Sequence, residues 1–587
     1  MKTILISIII VININSNSKA SLDSFLPTNN VLVDTTKNYD KSCHRPCKFN
    51  VKPRKCNYDF VIGPTVDGDG RASISINGQS PGPAIHVCLH DTVVVRVKNK
   101  LTQDVAIHWH GIEQKGTPYH DGVPMVTQCP ITYGSTYQYA FVASSPGTYF
   151  YHADSVSQQS DGLFGSLIVD QPRPQEPHSS LYNFDNSDQN TILISAKFPE
   201  LLTDRLTDKN TIRPEGIALN GESGNYKAYV IPANAYMFRL INAIGIECPV
   251  TVSVQEHGLT VIATDGRPVK PVSTRAVKLY PGERMDVVVR ADQSTGGYWI
   301  RVAGEDACSG LDTYGMLLYS GYNYTIMFEE GPAHNLIIDD AVAGKDLHSL
   351  KDTTSPPEIR SYYLGIDRNY PQYKDSDVDF SYRSDAMPKS PFIPAAMTIQ
   401  EGVVQINGKN FLYPNVPLLL KPQEVLPESS CLVGEEADHK DPQCVQTINA
   451  KANETIELIL VNEGFGSNDS YTFHMHGYSM QVLTTWQSPA GMALSKEEFM
   501  KLDTEGKITR NVLNPPNKDT IHVPNKGFVI VRIKTDVGGS WLLECQSCGL
   551  SSLPVAVLIN VQQTIPKLVV DSLPPCSGYK PADVLLN

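Results

Sequence analysis

After the first dozen positions, the 587-residue sequence contains no apolar run of the about 20 residues needed to cross a bilayer. Its last residues, Pro581 to Asn587, do not read as an anchor signal either, so no membrane anchor is expected. Basic clusters are as scarce. The compact one is Lys52-Pro53-Arg54-Lys55, and 62 acidic side chains against 49 basic ones give a formal charge of −13, which argues against nucleic acid as a partner. Long helical patterns are missing too, with Lys496 to Lys501 the place for a short helix.

What is present fits exported globular material. Lys2, the apolar stretch Thr3 to Ile12 and the small-residue site Ser18-Lys19-Ala20 read as a secretory leader covering residues 1–20. Its removal takes Lys2 and Lys19 with it and moves the charge from −13 to −15. The sequons at Asn323, Asn453 and Asn468 agree with a secreted glycoprotein. Twelve cysteines in such a chain imply disulfides. Cys431 and Cys444 can close a loop locally. The group Cys43, Cys47 and Cys56 is odd in number, so it uses an outside partner or leaves a thiol free.

The chain is too long for one core, which implies two to four domains. Gly and Pro, at 41 each, suit many short strands joined by turns. One unit occurs three times: an alternating segment, a turn, a glycine, an aromatic residue and a second segment. The copies are Tyr137 to Phe141 with Gly147 to His152, Met285 to Val289 with Gly297 to Arg301, and Phe528 to Arg532 with Gly539 to Glu544. Period-two alternation marks hairpin-related strands of all-β domains. Boundaries are expected near the proline-bearing stretches Gln171 to Pro177 and Thr353 to Pro357.

Two pairs of histidines stand in equivalent repeats, His108-Trp109-His110 and His474-Met475-His476, each followed by glycine. Residues i and i+2 of a strand face one side, so each pair aims two imidazoles at one place. His152 ends the neighbouring strand of the first repeat. A single such pair is an ordinary exposed feature, whereas two in matching places point to a metal site.

The runs 106–131 (AIHWHGIEQKGTPYHDGVPMVTQCPI), 147–172 (GTYFYHADSVSQQSDGLFGSLIVDQP) and 471–477 (YTFHMHG) resemble the copper motifs of laccases, the insect type in particular. Supporting runs are NGQSPGPAIHVC (77–88), GLTVIATDGRPVKP (258–271) and YPGERMDVVVRADQ (280–293). The resemblance extends from about Cys43 to Cys576. It implies three consecutive cupredoxin-like domains, each a Greek-key β-sandwich or barrel, at 57–172, 173–352 and 353–587, after a Cys-containing extension at 21–56. It implies a type 1 copper in the third domain, a trinuclear oxygen-reducing cluster between the first and third, and a spacer role for the middle domain. It also implies that Cys129 pairs with Cys248, and Cys88 with Cys576.

The family's cluster takes eight histidines, and here three of the eight positions are replaced. His108 and His474, which would hold the type 2 copper, are both present. One type 3 copper would see His110, His152 and Gln546, the other Asp154, His476 and Glu544. Glutamine is a poor replacement for a nitrogen donor. At type 1, Cys545 stands alone, because the remaining positions are Tyr471, Leu550 and Val555. A blue-copper centre needs two histidines and a thiolate.

Several residues carry more than one reading. Asp154, His476 and Glu544 suit a harder ion such as zinc, manganese or iron; alternatively, the acids pair with His110, His152 or water. Cys545 and Cys548 form a C-x-x-C that reads better as a structural disulfide or buried thiols than as a redox motif, which needs a helix start. Asp121 of His120-Asp121-Gly122 lies, by the resemblance, near the family's oxygen and water path, although a turn needing Asp-Gly explains it equally. The leading expectation is a secreted, catalytically degenerate laccase homologue that acts as a binding or structural protein toward an extracellular partner the sequence does not name. The alternatives are a residual copper-dependent oxidase of phenols or ferrous iron using His108 and His474, and simple metal binding or storage.

Overall fold

The computed structural model describes residues 43–66, 70–185, 187–203, 213–322, 340–353, 356, 358–369, 403–434, 443–464, 469–489, 491–548, 554–574 and 576. The leader, Asn323, Asn468 and Leu550 lie outside them, whereas Asn453 is exposed in a turn. Three β-sandwiches follow one another, each made of two sheets. The first pairs two four-stranded sheets, the second two six-stranded sheets, and the third a six- and a seven-stranded sheet.

One topology occurs three times. In each domain an opening strand has an antiparallel neighbour on one side and a parallel neighbour on the other. Lys55–Val66 lies between Ala72–Ile76 and Thr92–Asn99. Thr191–Lys197 lies between Gly216–Leu219 and Ala235–Asn242. Arg360–Asn369 lies between Val403–Ile406 and Thr455–Asn462. A parallel neighbour requires the chain to cross over before returning, as Greek-key sandwiches do. Three large apolar clusters, one per sandwich, fill the space between the sheets.

The recurring unit is built differently from a hairpin. Thr136–Val142 and Gly147–Ala153 belong to opposite sheets, as do Arg284–Arg290 and Gly297–Gly304, and Gly527–Lys534 and Gly539–Cys545. Tyr139 and Phe141 of one strand meet Tyr149 and Tyr151 of the next in the same core. Alternation reports which side of a strand is buried, and two strands that face each other across a core alternate just as two paired strands do. The longest described helix is Lys496–Thr504, started by a reciprocal cap between Ser495 and Glu498.

The expected end of the extension, after residue 56, falls inside strand Lys55–Val66. Cys43 and Cys56 are joined and lie in the first domain's core. Cys47 takes Cys88 as its outside partner. This overturns the pairing of Cys88 with Cys576: Cys88 is already used, and Cys576 joins Cys129 instead. Cys248 therefore pairs with Cys308, in a turn of its own domain. Cys431 and Cys444 are bonded to each other, as are Cys545 and Cys548, and no cysteine is free. The Cys129–Cys576 bond ties the first domain to the chain segment after the third, and Leu573 packs on the first domain's core.

Arg45 forms two hydrogen bonds to the buried carboxylate of Asp91, at 2.7 and 2.8 Å. The backbone amides of Arg54 and Cys88 donate to the same group. Burial pushes the Asp91 carboxyl up, but these partners outweigh it and hold it below the usual range. A depressed folded value gives stability that is complete above the unfolded value of about 3.9 and is lost as pH falls through the folded one. Asp91→Asn is expected to remove that acid-sensitive component, and an acid-unfolding limb identical to that of the unaltered protein would refute the assignment. Replacing Cys129 and Cys576 together by serine is expected to cost about 2–5 kcal/mol, measured by denaturant unfolding; unchanged stability would show that the bond constrains nothing.

Candidate metal centre between the first and third domains

Each histidine pair sits on a short strand whose middle residue is locked into a core. Trp109 and Met475 are buried among apolar neighbours, which turns His108 and His110, and His474 and His476, to the other side. Strand pairing adds the rest. His108 lies opposite His152, and His474 opposite Glu544. Gly122 adopts φ +94°, and a Cβ there would lie 1.9 Å from the carbonyl of Ile107. The Asp-Gly turn is therefore needed for the close approach, and it also delivers Asp121 to the site.

His108 donates through Nδ1 to the carbonyl of Asp121 at 2.8 Å, and His474 through Nδ1 to the carbonyl of Asp519 at 3.0 Å. Both rings are thereby fixed with Nε2 bare, and the two Nε2 atoms face each other at 3.2 Å. His152 Nδ1 donates to the carbonyl of Ala153, leaving its Nε2 bare 3.2 Å from His110 Nδ1. The opposite nitrogen of His110, Nε2, donates to Thr520 Oγ1 at 2.9 Å. Burial, with the neighbouring rings adding to it, pushes His108 and His110 well below their usual range and His152 down to about 4, so these three are neutral.

His476 differs from all of them. Its Nδ1 meets Asp121 Oδ2 at 2.8 Å and its Nε2 meets Glu544 Oε1 at 3.0 Å. Burial disfavours its charge, yet the two carboxylates outweigh burial and push it up to about 10. It is an imidazolium with both nitrogens engaged. Asp154 forms no bond to a ring: its Oδ1 is buried without a hydrogen bond, and burial, then the charge on Glu544, pushes its carboxyl well above the usual range.

Among the described residues, three groups present donors within 4.8 Å of one another without a disulfide cysteine: His108, His474, His476; His108, His110, His152; and His110, His474, Asp519. Neither Asp154 nor Glu544 belongs to any of them. The carboxylate-rich set Asp154, His476 and Glu544 therefore does not converge on an ion. Glu544 pairs with His476 and not with His110 or His152.

Family profiles described as "Multicopper oxidase" match residues 63–174, 179–321 and 412–548. The chain belongs to the multicopper oxidase family. Its relatives include laccase-1 of Botryotinia fuckeliana, 26% identical over 84% of this chain and 79% of that one. L-ascorbate oxidase of Cucurbita pepo var. melopepo is 27% identical over 84% and 89%. Laccase-1 of Agaricus bisporus is 29% identical over 85% and 88%. Among solved structures, Fet3p, a multicopper oxidase that functions in iron import, superposes with a TM-score of 0.69 at 20% identity, over 90% of this chain and 98% of that one. The laccase from Botrytis aclada gives 0.66 at 21% identity, over 87% and 88%. These two likenesses establish the fold.

The residues that the resemblance assigns to the family's four copper positions fit copper unequally. At type 2, two bare Nε2 atoms of His108 and His474 converge, each held by a backbone carbonyl on its far side, and this pair fits. At one type 3 position, the bare nitrogens of His110 and His152 converge, but the third place holds the Gln546 amide, which lies 3.3 Å from His110 Nδ1. The other type 3 position fits poorly, because both nitrogens of His476 are engaged by the carboxylates of Asp121 and Glu544 and the third place holds Asp154. Type 1 does not fit. Cys545 is bonded to Cys548 and has no thiolate, and Tyr471 and Val555 are buried core residues there.

Asp519 and Thr520, which orient His110 and His474, are not marked by the sequence, and Gly282 and Arg284 of the middle domain, which reach the same place, stand in the run 280–293 with nothing there to assign them to the site. None of the four lies in a ligand-type spacing, and the run Asn514 to Thr520 reads as an ordinary loop. His120 lies apart, buried against Tyr137, with burial pushing it down to about 4. If the ion pair of His476 with Asp121 stabilises the domain interface, Asp121→Asn lowers stability by about 1–2 kcal/mol at neutral pH, measured by urea unfolding. A change within about 0.5 kcal/mol would sink that reading.

Proposed function

We propose that this chain is a secreted multicopper-oxidase-family protein that does not perform laccase turnover and acts as a binding or structural protein toward an extracellular partner. The observation that carries the reading is the Cys545–Cys548 disulfide at the type 1 position. Electrons enter such an oxidase through a copper bound to that cysteine's thiolate, and the same cysteine links the entry point to the cluster through its two flanking ligands. Here the thiolate is absent, and the flanking residues are Glu544 and Gln546 rather than histidines. Both ends of the route lack their donors.

The second reading keeps a role for metal. His108 and His474 are expected to take one copper ion, and the full four-copper complement is not expected. A copper bound there would supply redox or Lewis-acid chemistry. The protein's part is to hold both rings in one tautomer with their bare nitrogens toward a common point, in a fully buried setting. Copper-dependent oxidation of phenols or ferrous iron, and metal storage, are the activities this pair allows.

Metal analysis of the purified protein, its visible spectrum and a diphenol-oxidation assay separate these readings. The expected result is at most one copper per chain, no intense blue absorption and no diphenol turnover. An intense blue band from a copper–thiolate centre would overturn the leading reading. Turnover dependent on a single copper and lost in His108→Ala would favour the second.

A further inference from the structure

We propose that the middle domain is more than a spacer: through Arg284 it positions the metal-facing rings of His110 and His474, which belong to the other two domains. The inference rests on the reading that His108 and His474 hold a metal.

Arg284 opens strand Arg284–Arg290 and is fully buried. Its guanidinium touches all three domains. Nε donates to the carbonyl of Thr148 in the first at 3.3 Å, and Nη1 to the carbonyl of Gly282 in its own at 3.0 Å. Nη1 and Nη2 together grip both carboxylate oxygens of Asp519 in the third domain, Nη1 at 2.6 Å from Oδ1. A bidentate fork fixes the plane of a carboxylate as well as its place, which a lysine ammonium does not.

Asp519 passes that order on to two rings. Its carbonyl accepts the Nδ1–H of His474 at 3.0 Å, which aims His474 Nε2 at His108. Its Oδ1 accepts from the Thr520 hydroxyl at 2.9 Å, and that hydroxyl in turn accepts from His110 Nε2 at 2.9 Å. His110 Nδ1 is thereby aimed at His152. Two glycines make room for the clamp. A Cβ on Gly111 would come within 2.5 Å of Arg284 Nη2 and 2.8 Å of Asp519 Oδ2. A Cβ on Gly282 would come within 2.6 Å of Gln546 Oε1 and 3.0 Å of His110. Middle-domain backbone therefore presses directly on the site.

The measurement is ring ¹⁵N NMR of histidine-labelled full-length protein, with and without Cu(II), on the unaltered chain, on Arg284→Lys and on Arg284→Gln/Asp519→Asn. The lysine variant keeps the charge and loses the fork. The double variant removes one buried charge of each sign, and Asp265, the other carboxylate beside Arg284, keeps its ion pair with Lys518 at 2.8 Å, so it covers the case in which Arg284→Lys fails to fold. The unaltered protein is expected to show one Nδ1–H and one Nε2–H tautomer for His474 and His110, and either variant a tautomer mixture. Copper affinity, from chelator competition, is expected to fall roughly 10- to 100-fold. Unchanged ring spectra in a folded variant would overturn the proposal, as would unchanged affinity. If the unaltered chain takes no copper while the ring tautomers still respond to Arg284→Lys, the copper reading falls and the positioning role stands.

Discussion

Four imidazoles from two domains are buried together with their bare nitrogens turned inward, and much of the molecule is arranged around that arrangement. Two facing lone pairs in a buried setting repel unless a cation, a proton or a water lies between them. The strands that carry them cannot relax, because Trp109 and Met475 pin them from the core side. The carbonyls of Asp121, Asp519 and Ala153 hold three of the rings in the inward-facing tautomer. The scaffold therefore remains set for a cation at this point even though several donors around it have been replaced.

The replacements do not behave alike. Glu544 and Asp121 enclose His476 as an ion pair, so a positive charge made from a proton stands where the family would place a metal-bound ring. Gln546 substitutes a hydrogen bond for a metal bond at His110. Cys545 lies in apolar core with Tyr471 and Val555 and is bonded to Cys548. At one of the places the family gives to copper an ion pair stands, and at another apolar core fills the space. Filling in is the harder to reverse, because regaining a thiolate requires breaking a covalent bond.

Much of the fold was legible in the sequence because alternation and the threefold unit are local signals. The pairs His108/His110 and His474/His476 were legible for the same reason: their common direction follows from strand geometry alone. Whether Thr136–Val142 pairs with Gly147–Ala153 or faces it was not legible, since both arrangements bury the same residues. The partners of Cys88, Cys129 and Cys248 were not legible because six disulfides allow many connectivities, and the family's pairing did not hold once Cys47 had taken Cys88. The contacts of Arg284 and Asp519 were not legible because they depend on three domains coming together, and no window of sequence contains that.

The Cys129–Cys576 bond, spanning 447 positions, closes most of the chain into a covalent ring that holds the whole middle domain and the whole third domain. A ring opened once at any surface loop between those cysteines remains a single molecule. The strand of His108 and His110 precedes Cys129 and lies outside the ring, whereas that of His474 and His476 lies within it, so a single nick in the ring does not release either from the other. Tolerance of a single cleavage within the ring is thus written into the connectivity, independently of whether a metal is ever held.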